Sequence, residues 1–198
     1  LFDVLPARGI RMLGVWENGF RHITNNVRPI VRPEDLKGIK LRVPGGVWRV
    51  KMFQAYGANP SPMPFAEVYS ALQSGVMDAQ ENPFPQIHSA KFQEVQKFLS
   101  LTGHVYTPGY LIVNEDFWQK LPKDVQQTIS KIAWATGDFA RSEGERLDRE
   151  LQGKLAPPMK LNEPDKEAFI KASGAVYEEF GKEVTGGAEL VKVIQSLR

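Results

Sequence analysis

The residues best placed to do chemistry gather in two short stretches, Arg42-Val43-Pro44-Gly45-Gly46 and Asp78-Ala79-Gln80-Glu81-Asn82-Pro83. Each sets charged or amide groups directly before a chain-bending proline. Asp78 and Glu81 invite comparison with a general acid–base pair. Such a pair needs a nucleophile or base within reach and a perturbed pKa, and the neighbouring sequence supplies neither. Both carboxylates are therefore expected to be structural or pocket-rim partners of arginines. Asn82 offers amide donors and an acceptor to a ligand, or a cap for the helical turn that Pro83 opens; both roles can hold together. His22, His88 and His104 lie far apart, with no acidic companion at ligand spacing, and are read as ordinary polar residues. There is no cysteine, which excludes disulfides, thiolate catalysis and cysteine-ligated metal. No phosphate loop, serine elbow or dinucleotide fingerprint is present. Gly45-Gly46 before a helix is weak evidence for an anion site. No catalytic residue, metal site or cofactor is expected.

Composition narrows the partners. The 198 residues carry 25 Lys and Arg against 23 Asp and Glu, a formal net charge of +2 with the two signs interleaved. A nucleic-acid surface would show a clustered basic patch or a known module, so that class is set aside. With 42% hydrophobic and 24% charged residues, the chain is an ordinary globular one, long enough for one large domain or two small ones. No apolar run approaches the ~20 residues that cross a bilayer, and no signal peptide is evident. The chain opens at Leu1 rather than Met. Leu1 to Gly9 looks like the tail of a helix entering a glycine-ended turn, so a missing upstream segment is expected.

Strands and helices must position these residues. Ile10 to Val15 is apolar enough for a buried strand, and Trp16 to Asn26 is a mixed stretch suited to a crossover. Pro33 to Gly38 makes one helical turn. Ile39-Lys40-Leu41-Arg42-Val43 alternates with period two and is the cleanest strand, its apolar face being Ile39, Leu41 and Val43. Gly46 to Tyr56 predicts a helix stopped by Gly57, with a core stripe through Val47, Val50 and Phe53, and a second apolar line through Trp48 and Met52. Pro60 to Met63 is extended, Phe65 to Ser74 is a helix, and Val76 to Glu81 is a strand. Short helical turns follow over Pro85 to Ala90 and Lys91 to Glu94. Lys97 to Leu101 and Tyr110 to Asn114 are extended, and Asn114 caps a turn over Glu115 to Lys120. A long helix runs from Leu121-Pro122 to about Leu151. Lys154 to Leu161 is a broken strand, and Asp165 to Val184 and Ala188 to Leu197 are amphipathic helices. Strands separated by helices give an α/β fold with partly parallel pairing. Ligands in such sheets sit beyond the carboxyl ends of strands, where Arg42 and Asn82 fall.

Four ordered blocks carry a family resemblance: Leu41-Arg42-Val43-Pro44; Gly57 to Gly75, with Gly57-Ala58-Asn59-Pro60 and Met63-Pro64-Phe65-Ala66-Glu67-Val68-Tyr69; Asp78-Ala79-Gln80-Glu81-Asn82-Pro83; and Lys91 to His104. In order and spacing they resemble the substrate-binding proteins (DctP type) of tripartite ATP-independent periplasmic (TRAP) transporters, across essentially the whole chain and most weakly after Gly153. Two departures matter. Ala79 stands where the family usually has Gly, and family members carry a further stretch before the position of Leu1, so the chain looks as though it lacks its N-terminal region.

The resemblance implies a two-lobed α/β periplasmic-binding fold, joined by crossover strands and long helices, with the first lobe incomplete. On that reading residues 1–20 belong to the partial first lobe and 21–108 form the second. Residues 109–150 return to the first lobe with the long helix, and 151–198 are C-terminal helices packed on the second. It implies a periplasmic, non-enzymatic protein that closes by a hinge around a small organic carboxylate and hands it to the transporter's membrane subunits. A complete protein would be a monomer; a truncated one would be open to chain exchange or dimerisation. Arg42 would anchor the carboxylate through its planar fork, with Arg21 in the crossover nearby. Apart from the resemblance, Arg42 fits the solvated face of an edge strand, and Arg21 a surface loop. Asn82 would support the ligand, Glu81 would partner the arginines, and Phe65 and Trp48 would wall the pocket. Phe65 also fits plain core, and Trp48 also fits packing between lobes. These two aromatics tilt the ligand toward a monocarboxylate with an apolar or aromatic body, over a sugar acid. The alternatives are a sensing receptor module for organic acids, or a hydrolase or lyase using Asp78 and Glu81.

Overall fold

The computed structural model describes residues 2–197; Leu1, at the start of the expected helix tail, lies outside them. Before the first strand there is only a short 3-10 turn, Pro6–Arg8, closed by Gly9. Strand β1 (Ile10–Phe20) continues through most of the stretch expected to be mixed crossover, and β2 (His22–Asn25) follows after Arg21 alone. Val15 to Asn18 are half-buried, with Gly19 buried and Phe20 exposed, so the polar residues of this stretch sit on a half-open ribbon.

Next come β3 (Lys40–Val43), α1 (Val47–Ala55), β4 (Asn59–Pro62), α2 (Val68–Gln73), β5 (Ala79–Asn82) and α3 (Phe84–Ser89). Then β6 (Phe98–Ser100), β7 (Tyr106–Asn114), α4 (Glu115–Lys120) and α5 (Lys123–Leu155) lead to β8 (Lys160–Asn162), α6 (Lys166–Ala172), α7 (Gly174–Glu183) and α8 (Gly187–Ser196). Among the described residues no helix is long and apolar enough to cross a membrane.

The strands form two sheets. Six run in the order β4-β3-β5-β2-β6-β8, with β3 parallel to β4 and β5, β6 parallel to β8, and β2 antiparallel to both its neighbours. The other sheet is the antiparallel pair β1–β7. One core lies against α2, α3 and the end of α5, through Leu72, Ile87, Phe92, Leu99 and Leu155. A second lies against α1 and α6, through Ile39, Leu41, Val43, Phe53 and Phe169. A smaller third, with Leu13, Trp118 and Ala133, sits under the β1–β7 ribbon. The chain passes between sheets three times: at Arg21 between β1 and β2, at residues 101–105 between β6 and β7, and through α4 and α5 between β7 and β8.

Several elements differ from the sequence expectation. The strand expected at Val76 to Glu81 is shifted to Ala79–Asn82, because Gly75 (φ 73°) closes a turn that leaves Val76 exposed. In α1 the stripe fails at its start: Val47 is 57% exposed and only Phe53 is fully buried, since the first turn projects past the sheet edge. The long helix runs through Gly153 to Leu155, held by Leu151 and Leu155 in the core. Burial of those two outweighs the ~1 kcal/mol that a helical glycine costs, and the strand expected at Lys154 shrinks to Lys160–Asn162. The helix expected over Asp165 to Val184 breaks at Ser173, whose hydroxyl donates to the Phe169 carbonyl and also meets Tyr56 Oη at 2.7 Å.

Candidate functional site

The carboxyl ends of β3 and β5 and the β1–β2 junction converge, and five of the six sequence-selected residues meet there. Alternation puts Leu41 and Val43 in the core and turns Arg42 to the other face, where it is only 3% exposed. Its Nε (2.9 Å) and Nη2 (2.5 Å) both donate to the Met63 carbonyl. The parallel register of β3 with β4 brings Met63 alongside. The solvated edge-strand alternative is excluded, because β3 is an inner strand. Phe65, two residues beyond Met63, stands 6.0 Å from the Arg42 guanidinium and packs edge-on against Phe92 at 5.8 Å, with one side open. Among the described residues Arg42 makes no ion pair. Burial pulls its pKa below the ordinary value, the charge of Glu81 partly opposing, yet a guanidinium stays charged in a protein.

Arg21 is buried rather than a surface loop residue. Its Nε donates to Glu81 Oε2 at 2.5 Å, and its Nη2 donates to Glu81 Oε1 (3.0 Å), the Glu81 carbonyl (2.6 Å) and Asn82 Oδ1 (3.0 Å). Asn82 in turn donates from Nδ2 to Gln80 Oε1, and Gln80 donates to Thr24. The helix after it has Pro83 at the cap position with no side-chain bond, so Asn82 does not cap α3.

Glu81 is completely enclosed. Beyond Arg21 it accepts from Arg49 Nη1 at 3.1 Å to each oxygen, and from His104 Nε2 at 2.9 Å. Burial alone would push this carboxyl up; donation by His104 and Arg21 outweighs it and holds the pKa at about 2. His104 is pushed below its ordinary value, chiefly by burial, with Glu81 opposing. Its Nε2 faces Glu81 and its Nδ1 the Thr102 hydroxyl at 2.7 Å. His22 accepts from the Gly103 N–H and is held at about 3, first by burial and then by the charges of His104 and Lys166.

The remaining expectations part from this cluster. Trp48 packs edge-on against Phe180 of α7 at 5.0 Å and lines a cavity of about 320 Å³ with Met52, Tyr177 and Ile194, which of the cluster only Arg49 borders. Asp78 partners Lys40, not an arginine: its Oδ2 accepts from the Lys40 backbone N–H, and Nζ lies 3.6 Å from Oδ1. It sits at the opposite end of β5 from the arginines, so Asp78 and Glu81 form no acid–base dyad. Among the described residues no cluster of three His, Asp or Glu is arranged to hold a metal. A concavity of about 840 Å³ lies at the β6–β8 edge and is lined by none of the candidate residues.

Two members of the cluster escaped the sequence. His104 closes one of the matched blocks and was passed over as an ordinary polar residue; its place in that block was the available signal. Arg49 carries no local signal, because it matters only once α1 is packed so that its side chain reaches Glu81.

The arrangement suits recognition of an anion: a rigidly held, buried guanidinium beside an aromatic face, backed by an already neutralised carboxylate. Comparison with known proteins agrees. The model of the family described as bacterial extracellular solute-binding protein, family 7, matches residues 1–183. The 2,3-diketo-L-gulonate-binding periplasmic protein of Escherichia coli is 39% identical over 201 residues, covering 98% of this chain and 60% of that protein. A TRAP periplasmic solute-binding protein from Polaromonas, solved with D-erythronate, superposes with a TM-score of 0.91 at 38% identity, over 98% of this chain and 64% of that one. Another from Chromohalobacter salexigens, with D-glucuronate, gives a TM-score of 0.94 at 31% identity, over 100% and 66%. The chain thus spans about 60% of the length of the curated relative it matches.

Proposed function

Because this chain belongs to the bacterial extracellular solute-binding proteins of family 7, we propose that the protein carrying it captures a small organic carboxylate in the periplasm and delivers it to the membrane subunits of a TRAP-type transporter. The observation that carries the reading is Arg42: buried, fixed by two bonds to one backbone carbonyl, and without a carboxylate partner among the described residues. A buried unpaired charge costs several kcal/mol, and an incoming carboxylate removes that cost. The cost of transferring such a pair from water makes the site discriminate against uncharged solutes more than it adds raw affinity.

The ligand class is a polyhydroxy monocarboxylate. Trp48, half of the case for an aromatic ligand body, is occupied by Phe180, and the relatives' names point to erythronate, glucuronate and diketogulonate. Phe65 remains as one apolar wall, and Asn82, held by Arg21 and Gln80, supplies its free amide hydrogen for a hydroxyl group. The six-stranded sheet with α1–α3 and α6 makes the second lobe (residues 21–108 with 151–198). The β1–β7 ribbon with α4 and α5 belongs to the first, and the passages at Arg21 and at 101–105 are the hinge. Relatives named for binding rather than turnover, and the separation of Asp78 from Glu81, support binding over hydrolase or lyase chemistry.

The test is a thermal-shift screen against small organic acids. A ligand at a hundred times its dissociation constant adds ~2.7 kcal/mol to stability. A shift for one series of sugar acids, abolished by Arg42→Ala, is the expected result. No shift from any acid with a well-folded protein overturns the reading.

A further inference from the structure

We propose that Arg49 is a positioning residue for anion binding: it neutralises Glu81, so that this buried carboxylate does not repel the ligand's own carboxylate from Arg42. The inference rests on the carboxylate-binding reading above.

The geometry carries it. Glu81 stands next to Asn82 on β5, at the end of the strand that pairs with the strand of Arg42. Its charge is felt at Arg42, so it would be felt by an anion seated there. A like charge at close range in a desolvated site is strongly unfavourable. Glu81 has no water to screen it, being fully enclosed. Its two oxygens receive five contacts: Arg21 Nε and His104 Nε2 on Oε2, Arg21 Nη2 on Oε1, and Arg49 Nη1 on both. A carboxylate has about four lone-pair sites, so these donors saturate it. His104 brings a hydrogen bond from a ring whose pKa burial lowers. Arg21 alone would cancel the charge while also serving Asn82 Oδ1 and the Glu81 carbonyl. Arg49 is the second full cation, contributed by a different element, α1, with its side chain 18% exposed. It raises the local balance of Arg21, Arg42 and Arg49 against one carboxylate from +1 to +2. The groups facing Glu81 from the packed elements are Arg21, Arg49, His104 and, at longer range, Arg42; His22 and Lys166 lie behind His104.

An electrostatic role and a merely structural one separate in a double-mutant cycle. Dissociation constants are measured by calorimetry for whichever of D-erythronate, D-glucuronate and L-fuconate the wild type binds most tightly, with Arg49→Met, Arg49→Lys, Glu81→Gln and the Arg49→Met/Glu81→Gln pair. Arg49→Met should weaken binding about tenfold or more, and Arg49→Lys, which keeps the charge, by less than about threefold. Adding Glu81→Gln to Arg49→Met should restore affinity to within about threefold of Glu81→Gln alone. Additive losses, or a Lys variant as weak as Met, each overturn the role of Arg49 while leaving the carboxylate reading intact. If Arg49→Met fails to fold, the Lys variant decides alone. A wild type that binds none of the acids overturns both.

Discussion

Arg42 and Met63 are joined by a forked pair of hydrogen bonds, Nε at 2.9 Å and Nη2 at 2.5 Å to a single backbone carbonyl. The fork fixes the guanidinium plane from behind and points its remaining edge past Phe65. Arg42→Ala should cost ~2–5 kcal/mol of ligand binding, the range for truncating one partner of a buried charge pair. Arg42→Lys should recover little of this, since an ammonium cannot fork to Met63 and to a carboxylate together. Calorimetry on both variants checks the pair; a loss below about threefold for Arg42→Ala removes it as anchor.

Glu81 predicts a stability effect independent of ligand. Glu81→Ala leaves Arg21 and Arg49 facing each other without a counter-ion, and breaking a buried pair this way costs ~3–5 kcal/mol. Glu81→Gln keeps acceptors for part of the network and should cost less. Urea unfolding of the two variants measures the difference.

Acid should destabilise the fold through its buried histidines. The folded-state pKa of His22 is lowered to about 3, by burial first and then by the charges of His104 and Lys166, against ~6.5 in the unfolded chain. The unfolded state therefore binds a proton that the folded state refuses. The stabilisation is complete above about pH 6.5 and falls toward pH 3, with a slope of up to ~1.4 kcal/mol per pH unit per proton. His104 acts with the same sign. Glu81, held at about 2, adds its loss between about pH 4.3 and 2. Urea midpoints at pH 7, 5 and 4 should fall in sequence, and His22→Gln should flatten the decline.

Trp48→Ala should separate packing from recognition. The ring meets Phe180 edge-on at 5.0 Å and Lys51 Nζ at 4.7 Å, bridging α1 and α7. Its loss should lower stability by ~1–3 kcal/mol, less than for a fully buried aromatic. Sugar-acid affinity should stay within about threefold. A large affinity loss at unchanged stability would return Trp48 to the ligand wall.

Gly19, at the end of β1, has φ 112°, and an added Cβ would sit 3.4 Å from the Pro83 Cβ. Gly19→Ala should cost ~1–3 kcal/mol of backbone strain at the crossing between sheets, seen as a lowered melting temperature.

What the sequence by itself determined was local. Period-two alternation in Ile39 to Val43 placed Arg42 opposite an apolar face. Pro122 and Asn114 marked helix starts that the structure keeps, Asn114 Oδ1 accepting from the Phe117 N–H. The matched blocks identified the family and put Arg42, Arg21, Asn82, Glu81 and Phe65 near one another. Where local rules met burial, burial won: Leu155 carried α5 through Gly153, and Ser173 broke a helix that periodicity alone continues.

Only the tertiary structure decided which charges meet. Arg21 and Glu81 are sixty positions apart, and Arg49 reaches Glu81 from α1, which packs against β4 and α7. No pattern along the chain encodes that distance. Trp48 shows the reverse: its helix was legible, but the partner that occupies it, Phe180, lies on an element brought back by the fold of the last third of the chain. Periodicity fixes which face a side chain takes within its own element. The ion pairs of the site depend on which elements then bury those faces together, a long-range packing outcome that spacing along the chain does not contain.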